Sequence, residues 1–353
     1  MSGAILIIQT AFAGDLILTT SLIEETADRH PGIPIDVLCI PATSGLLENN
    51  PHIRRRIVYD KKNSEPNIVM LLRTIARERY AVCLCPHRSV RSALIAFASR
   101  APRRIAFDRS SVPWLFTETV PYQHSWHEVD RNRSLLTGGK RPEPLLCRPR
   151  LYPSAADRSA IEALLQLHSS DREYICVAPG SVWATKRWTE EGFTELVRHF
   201  SVSRSVFLLG GKEDRDLCNR IAEHAAATHS VVEAGQSQMG HSHIINTAGE
   251  LDFLASAVLV EGAAVLISND SAPVHLASAM GTPVVEIYGA TSAEYGFSPY
   301  GVPHRLVQRE DLDCRPCAIH GGAKCPIGTF DCMRGLSADR VIQAAEELMR
   351  DGK

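Results

Sequence analysis

Residues 268–276 read Ser-Asn-Asp-Ser-Ala-Pro-Val-His-Leu, and this short segment decides the fold. The apolar residues 263–267 that precede it predict a buried parallel strand. Pro273 is typical of the first turn of a helix, where the backbone N–H has no partner within the helix. The segment therefore predicts a strand that turns into a helix, and the free N–H groups at the helix N-terminus suit a phosphate. The residues assigned to this anion site are Asp270, Ser271, Ala272 and His275.

The same alternation of strand and helix extends through the rest of the chain. Further apolar runs predict strands at residues 4–9, 35–40, 80–85, 174–178, 206–209 and 284–287. Helical periodicity predicts helices at residues 16–29, 189–200, 214–227, 251–260 and 338–350. This order of elements is typical of an α/β fold with parallel sheets.

A proline-rich stretch, residues 140–154, separates two such patterns and indicates a linker. We predict a first domain over residues 1–155, a second over residues 156–336 and a final helix over residues 337–353. Each domain is predicted to be doubly wound, with helices on both faces of its sheet. Ligands of such sheets bind at the carboxyl ends of the strands, so we expect the site in the cleft between the domains.

The composition is that of a soluble protein, with 353 residues, 44% of them hydrophobic, and a net charge of −2. We find no pattern of a signal peptide and no apolar run of the roughly 18–20 residues that a membrane span needs. We therefore expect a cytoplasmic protein. The absence of G-x-G-x-x-G argues against a dehydrogenase, and the absence of a Walker motif argues against hydrolysis of nucleoside triphosphates.

Positive charge is concentrated in residues 51–110, which hold fourteen basic residues, Lys61 and Lys62 among them, and four acidic ones. Such a segment is either a solvated surface or a face for an anionic partner. The preference for Arg over Lys favours recognition of phosphate, at a phosphorylated lipid or a membrane surface. Few aromatic residues interleave the run, which makes nucleic acid an unlikely partner. The residues assigned to binding this partner are Arg54, Arg88, Arg91 and His127.

Three further strand-end loops carry polar residues. Gly14 permits a tight turn after the first strand, and Asp15 then fits either a helix N-cap or a general base that takes a proton from a hydroxyl. Lys186 follows the Pro-Gly-Ser loop that ends in Ser181, and it fits either a surface cation or a phosphate ligand. Glu213 and Asp214 open another helix, where an acidic residue either stabilises the helix N-terminus or binds ribose hydroxyls.

Four cysteines lie close together near the end of the chain, within nineteen positions rich in Gly and Pro. They are Cys314, Cys317, Cys325 and Cys332. This spacing predicts a tetrahedral thiolate site for zinc or iron with a structural role, and the alternative is a set of unrelated cysteines. His124, His127 and Glu128 could line the cleft from the first domain, and the two histidines could pair on a metal, but they fit structural histidines better.

Taken together, these motifs resemble the ADP-heptose:lipopolysaccharide heptosyltransferases of glycosyltransferase family nine. The resemblance rests on residues 14–20, 179–181, 186–188, 268–271 and 288–291, on His275, and on the cysteine tail before residues 333–337. It implies a GT-B fold of two Rossmann-like domains and inverting transfer of heptose from ADP-heptose to a sugar hydroxyl of the lipopolysaccharide inner core. No catalytic metal is implied. The basic first domain would serve a phosphorylated acceptor carried by the membrane.

The resemblance also implies a role for each site residue. Asp15, after Gly14, would be the general base, and Lys186 would neutralise charge on the departing diphosphate. Glu213 or Asp214 would bind the ribose. The residues that would hold the rest of the ADP-sugar are Ser181, Asp270, Ser271, Ala272 and His275.

Two departures from the family pattern leave the acceptor open. Ala272 stands where many members have Gly, and the cysteine tail is similar to the metal finger of relatives that heptosylate autotransporter proteins. A protein O-heptosyltransferase and an enzyme that uses another nucleotide sugar are therefore alternatives. A non-enzymatic protein that binds nucleotide sugars or nucleic acid is a more distant one.

Overall fold

The computed structural model describes residues 3–60, 67–144, 147–168, 173–227 and 243–351. Lys61 and Lys62 of the basic segment and the end of the predicted final helix, residues 352–353, lie outside the described residues. Contacts divide the chain into two compact units, residues 1–152 and residues 153–353. In the part of the chain that the structure describes, no helix is long and apolar enough to cross a membrane.

The first unit is built on a six-stranded parallel sheet. Its strands are β1 (Ile5–Ile8), β2 (Ile35–Cys39), β3 (Ile53–Val58), β4 (Val82–Cys85), β5 (Arg103–Phe107) and β6 (Glu118–Val120). Its helices are α1 (Ala13–Arg29), α2 (Asn67–Arg77), α3 (Val90–Ala98) and α4 (Glu128–Ser134). The strand order is β3-β2-β1-β4-β5-β6, and Ile5 of β1 pairs with both Ile35 and Val82. All four residues of β1 are buried, as its apolar sequence predicts.

The second unit repeats this architecture with another six-stranded parallel sheet, in the order β12-β11-β10-β7-β8-β9. Its strands are β7 (Tyr174–Ala178), β8 (Ser205–Leu208), β9 (Ile244–Asn246), β10 (Leu266–Asn269), β11 (Val284–Ile287) and β12 (His304–Val307). Its helices are α5 (Ala155–Leu167), α6 (Glu190–Ser201), α7 (Arg215–Ala227), α8 (Phe253–Glu261), α9 (Ala272–Met280), α10 (Asp331–Arg334) and α11 (Ala338–Asp351). Two hydrophobic clusters of this unit draw on alternate side chains of the same strands, such as Ile175 in one and Cys176 in the other. Helix α11 contributes Val341 and Ala345 to one of them.

The strand that opens the key segment lies further along the chain than its apolar residues predict. The prediction covers residues 263–267, whereas β10 spans Leu266–Asn269. Ser268 and Asn269 are polar but fully buried, because each finds hydrogen-bond partners inside the sheet edge. The sheet therefore carries two polar side chains to the point where helix α9 begins.

Candidate active site

The second unit gathers its polar motifs at the carboxyl edge of its sheet. Strands β7 and β10 are neighbours although distant in sequence, and the connections of the sheet run in opposite directions from this pair. Such a switch point is where open α/β sheets bind ligands. Asn269, at the end of β10, donates from Nδ2 to the carbonyl of Pro179 at 2.8 Å and accepts from the backbone N–H of Trp188 at 3.0 Å. One buried amide thus ties the loop after β7 and the segment around Lys186 to the end of β10.

Lys186 and Asp270 form an ion pair at this edge. The Lys186 Nζ lies 2.7 Å from Oδ2 of Asp270, and the side chains are 14% and 8% exposed. The hydroxyl of Thr291, which follows β11, donates to the same carboxylate oxygen at 2.6 Å. The pair is therefore held from two sides, and the ammonium group keeps a partly open face. A cation fixed in this way can receive an anionic ligand without first being ordered.

The beginning of helix α9 lies directly after this ion pair. Ser271 is the N-cap residue, but its side chain makes no capping hydrogen bond, and Pro273 occupies the second helical position. Ser271 and Ala272 are half-buried, whereas His275 is buried one turn further along the helix. Pro273 has no N–H and the Val274 N–H donates to the Ser271 carbonyl at 3.1 Å, so the N–H groups that this end offers to negative charge are those of Ser271 and Ala272. The residues predicted to form the anion site thus lie together at the end of β10, in the ion pair and at the N-terminus of α9.

The two acidic residues in the loop after β8 have different surroundings. Asp214 accepts a hydrogen bond from the backbone N–H of Gly211 at 3.0 Å, and burial raises the pKa of its carboxyl. A Cβ atom on Gly180 or on Gly210 would lie 2.4 or 2.6 Å from atoms of Asp214, so both glycines are needed for this carboxylate to fit. Glu213 is exposed. Asp214 therefore shapes the loop, and Glu213 is the one of the two that is open to a sugar hydroxyl.

The cysteine segment contacts the same edge through its backbone and one arginine. Gly322 exchanges two hydrogen bonds with Thr185, and the Cys317 N–H donates to the carbonyl of Ala290 at 2.8 Å. The Arg315 guanidinium donates to the carbonyl of Thr291 at 3.0 Å and also to that of Gly289. These contacts secure the residues next to Lys186 and the loop that carries Thr291.

The four cysteine thiols lie near one another, since that of Cys332 interacts electrostatically with those of Cys314, Cys317 and Cys325, but they do not form a closed ligand set. Among the described residues, no group of three or more His, Cys, Asp or Glu side chains is placed to hold a metal ion. Cys332 is buried in the hydrophobic core, and Cys317 Sγ points to the carbonyl of Cys314 at 3.0 Å. Burial raises the pKa of Cys325, but N–H groups of residues 327–330 outweigh it and lower that pKa overall. The metal site stays a prediction.

The first unit also collects polar groups at the carboxyl edge of its sheet. Asp15 lies in the first turn of α1, three residues after the N-cap residue Phe12, so it does not cap the helix. Its backbone carbonyl accepts a hydrogen bond from the Thr19 hydroxyl at 2.7 Å. His87, which follows β4, lies with its Nδ1 2.9 Å from the hydroxyl of Thr10 and 2.8 Å from that of Ser92.

The structure brings together only some of the residues that are predicted to bind the acceptor. Arg88 lies over the ring of Tyr122, with its Cζ 4.3 Å from the ring centre. Arg91 lines a cavity of about 500 Å³ between α2 and α3 together with His87. The Nδ1 of His127 accepts from the backbone N–H of Val129 at 3.1 Å and caps helix α4.

Arg54 differs from the other three because it lies near the amino ends of the strands. Its guanidinium forms ion pairs with the buried Asp36, at 2.6 Å, and with Glu78, at 3.1 Å. The structure therefore places this arginine in a network of its own, away from the edge that carries Asp15.

Several residues that shape the site were given no role by the sequence. They are Thr185, Asn269, Thr291 and Arg315, and in the first unit Thr10. Asn269 and Thr291 lie inside the motifs at residues 268–271 and 288–291, so the sequence does carry a signal for these two residues. The part played by Arg315 depends on a distant loop, and no spacing in the sequence indicates it.

Comparison with known proteins gives the family and the fold of the chain. A family model described as glycosyltransferase family 9 (heptosyltransferase) matches residues 68–322. Lipopolysaccharide heptosyltransferase 2 of Salmonella typhimurium is 26% identical over 305 residues, which cover 82% of this chain and 84% of that protein. A glycosyl transferase family 9 structure from Veillonella parvula has a TM-score of 0.82 at 21% identity, and the match covers 99% of this chain and 98% of that one.

The structure of E. coli ADP-heptose lps heptosyltransferase II has a TM-score of 0.79 at 22% identity, and the match covers 99% of both chains. The two structures confirm the predicted α/β architecture of the GT-B type. Because the family model matches most of the sequence, the chain belongs to glycosyltransferase family 9, the heptosyltransferases.

Proposed function

We propose that this enzyme transfers heptose from ADP-L-glycero-D-manno-heptose to a hydroxyl of a lipopolysaccharide inner-core acceptor, with inversion at the sugar carbon. The observation that carries the proposal is the Lys186–Asp270 ion pair beside the N-terminus of α9, at the switch point of a family 9 sheet. A diphosphate is the ligand that such a combination of a fixed ammonium group and helix N–H groups favours. The names of the relatives, which include lipopolysaccharide and ADP-heptose, support this donor and acceptor.

In this mechanism the acceptor oxygen bonds to the anomeric carbon as the bond from that carbon to the ADP oxygen breaks. The Asp15 carboxylate receives the proton of the acceptor hydroxyl. The leaving diphosphate takes the electron pair of the broken bond, and its charge is met by Lys186 and by the N–H groups at the start of α9. Exposed Glu213 binds the ribose, and no metal takes part.

The first test measures ADP release by the purified protein with ADP-heptose, with and without Kdo₂-lipid A. We expect release that depends on the acceptor, and a loss of about 10²–10³-fold in kcat for Lys186→Ala because the leaving group loses its fixed cation. Arg220→Ala, which removes an exposed cation of the same unit, is the control and should leave kcat unchanged.

The other outcomes identify the alternatives. If the protein binds ADP-heptose but Kdo₂-lipid A does not stimulate ADP release, we would infer a protein acceptor. An autotransporter passenger domain would test that acceptor. Absence of donor binding would indicate another nucleotide sugar. Binding of ADP-heptose without turnover on any acceptor would contradict an enzyme.

We also propose that the enzyme works at the cytoplasmic face of the inner membrane and touches it through helix α3. Val90, Leu94 and Phe97 recur at helical spacing on this helix, and each is more than half exposed. Arg91 lies on the same face, and Arg104 lies over the ring of Phe97 at 5.6 Å. Apolar side chains among arginines match an anionic bilayer, because the chains enter the interface while the cations meet lipid phosphates.

Sedimentation with vesicles tests this contact. We expect binding to vesicles containing anionic lipid, little binding to phosphatidylcholine alone, and a loss of binding in Leu94→Glu. Leu167→Glu is the control, because Leu167 is 76% exposed but lies at the end of α5 in the other unit. Equal binding of both variants would contradict the proposed contact.

A further inference from the structure

We propose that Glu128 is a second carboxyl group of the acceptor-side site, a positioning residue that sets the basicity of Asp15. The inference rests on the proposed role of Asp15 as general base. Glu128 is 7% exposed and is the first residue of α4. It belongs to none of the motifs that carry the family resemblance.

The packing of two helices brings the carboxyl groups together. Helices α1 and α4 lie against each other, and the Nδ2 of Asn132 lies 3.4 Å from the hydroxyl oxygen of Thr19. Four residues earlier on each helix, one turn back, are Glu128 and Asp15. Further along both helices Arg133 contacts Glu25, so the helices run in the same direction. Because residues four apart share a helix face, Glu128 and Asp15 come near each other at the N-terminal ends of their helices.

Four charged or titratable groups, from three other parts of the unit and from α4 itself, face Glu128. The Nε of Arg131 lies 3.0 Å from its Oε2, and the hydroxyl of Tyr122 lies 3.4 Å from the same oxygen. Arg88 and Asp15 interact with it electrostatically, and both arginines lie over the Tyr122 ring, at 4.3 and 4.8 Å. The carboxyl is thus held in one place between two cations and a second carboxylate.

The balance of these groups lets Glu128 change charge near neutral pH. Burial raises the pKa of Glu128 to about 7; Arg131 and Arg88 oppose this rise, and the charge of Asp15 adds to it. Below that pH Glu128 is neutral. Above it the ionised carboxyl repels the charge on Asp15, so Asp15 holds a proton more tightly and becomes a stronger base.

The test is the pH profile of kcat between pH 5.5 and 8.5, measured by ADP release with saturating donor and acceptor. For the wild-type enzyme we expect kcat to rise about three- to tenfold through an inflection near pH 7. Glu128→Gln should lack this inflection and stay near the value of the acidic limb. Titration of the substrate phosphates is common to both enzymes, so the difference between the profiles isolates Glu128.

Two more variants keep the result interpretable. Glu24→Gln is a matched control, since Glu24 is also 7% exposed and bound to a tyrosine, Tyr152, but lies nine residues beyond Asp15. It should keep the wild-type profile. Glu128→Asp retains an ionisable group, so its profile should keep an inflection at a shifted pH, even where Glu128→Gln folds poorly.

The outcomes separate this inference from the proposed function. An inflection near pH 7 that persists in Glu128→Gln would overturn the role of Glu128 while leaving Asp15 in place. Full activity of Asp15→Asn would instead overturn the role of Asp15 as base, and with it the proposed mechanism. A loss of about 10²–10⁴-fold in Asp15→Asn together with a flat Glu128→Gln profile supports both.

Discussion

At the scale of single residues, Asn269 does more for the site than its size suggests. Its amide is fully buried and serves as both donor and acceptor, to the Pro179 carbonyl and from the Trp188 N–H. Those two backbone groups belong to the loop after β7 and to the segment that follows Lys186. The position of the Lys186 ammonium group therefore depends on a side chain that need not touch substrate.

We expect Asn269→Ala to lower the free energy of unfolding by about 2–4 kcal/mol, because it leaves two buried backbone groups without partners. Chemical denaturation measures this change, and kcat should fall as well because Lys186 loses its support. Asn219→Ala removes an exposed amide whose oxygen accepts a hydrogen bond from Asn246 at 2.6 Å, and it should cost about 0.5 kcal/mol or less. A similar cost for both variants would contradict the bridging role of Asn269.

For single residues, the sequence predicts some positions well and others poorly. The segment around Asp270 could be predicted because turn residues, a proline and a preceding apolar run are local signals. Arg54 was assigned to an anionic partner from charge alone, but its partners Asp36 and Glu78 lie 18 and 24 positions away in sequence. The pairing of β2 with β3 brings Arg54 to Asp36, Glu78 approaches from the end of α2, and no local pattern encodes either contact.

At the scale of elements, the cysteine segment supports the carboxyl edge of the second sheet. Arg315 binds the carbonyls of Gly289 and Thr291, and Gly322 is paired with Thr185. The loop that carries Thr291 and the residue before Lys186 are thereby fixed from outside the sheet. This support explains how an irregular segment can belong to the active unit without contributing a catalytic group.

We expect Arg315→Ala to lower the free energy of unfolding by about 2–4 kcal/mol, since at least two backbone carbonyls lose a charged donor. Weaker binding of ADP should accompany the loss, because the Thr291 hydroxyl no longer fixes Asp270. Calorimetric titration with ADP and thermal unfolding measure the two effects. Arg158→Ala, which removes an ion pair with Glu261 whose side chains are 47% and 37% exposed, is the control, and an equal effect in both variants would count against this support.

The metal predicted for the same segment is tested by elemental analysis of the purified protein. We expect about one zinc or iron per chain, lost in the double variant Cys314→Ser/Cys317→Ser. The Cys332 thiol already interacts electrostatically with the other three, so a metal would draw together sulfur atoms that lie near one another. Protein that contains neither metal after growth with both would contradict the prediction.

Helices and strands can be predicted where apolar residues follow one another, but not where charged residues interrupt the apolar run. Strands β7 and β11 follow from their sequences, and their predicted bounds are confirmed. Strand β3 reads Ile-Arg-Arg-Arg-Ile-Val, which looks like a charged surface. Its central Arg55 is nevertheless half-buried, because Asp36 and the hydroxyl of Tyr80 receive its guanidinium at 3.0 and 3.2 Å.

At the scale of the whole molecule, two units of the same architecture hold different kinds of buried charge. In the first unit, Asp36 is ionised among arginines, and despite burial these arginines and Tyr80 lower its pKa. In the second, Glu286 on β11 is fully buried beside the Lys186–Asp270 pair, and neither of its carboxyl oxygens has a hydrogen bond of good geometry. The stability of the protein must therefore respond to pH in two opposite ways.

For Glu286, burial raises the pKa well above the ordinary value, the charge of Asp270 adds to the rise, and Tyr288 and Lys186 oppose it. In the unfolded chain the carboxyl ionises near its ordinary value of about 4.3. Between that pH and the folded pKa, the folded state binds one proton more than the unfolded state. This contribution to stability is thus fully present below about pH 4.3 and falls by about 1.4 kcal/mol per pH unit as the pH rises.

Glu286→Gln removes this slope, because glutamine does not titrate. We expect its advantage in unfolding free energy over the wild type to grow by about 1.4 kcal/mol for each pH unit from pH 5 upwards, as measured by urea denaturation. Glu261→Gln, which alters an exposed carboxylate paired with Arg158, should differ from the wild type by a constant amount instead. A constant difference for Glu286→Gln would show that Glu286 ionises equally in both states, which its burial beside Asp270 argues against because an unpaired charge in that place is costly.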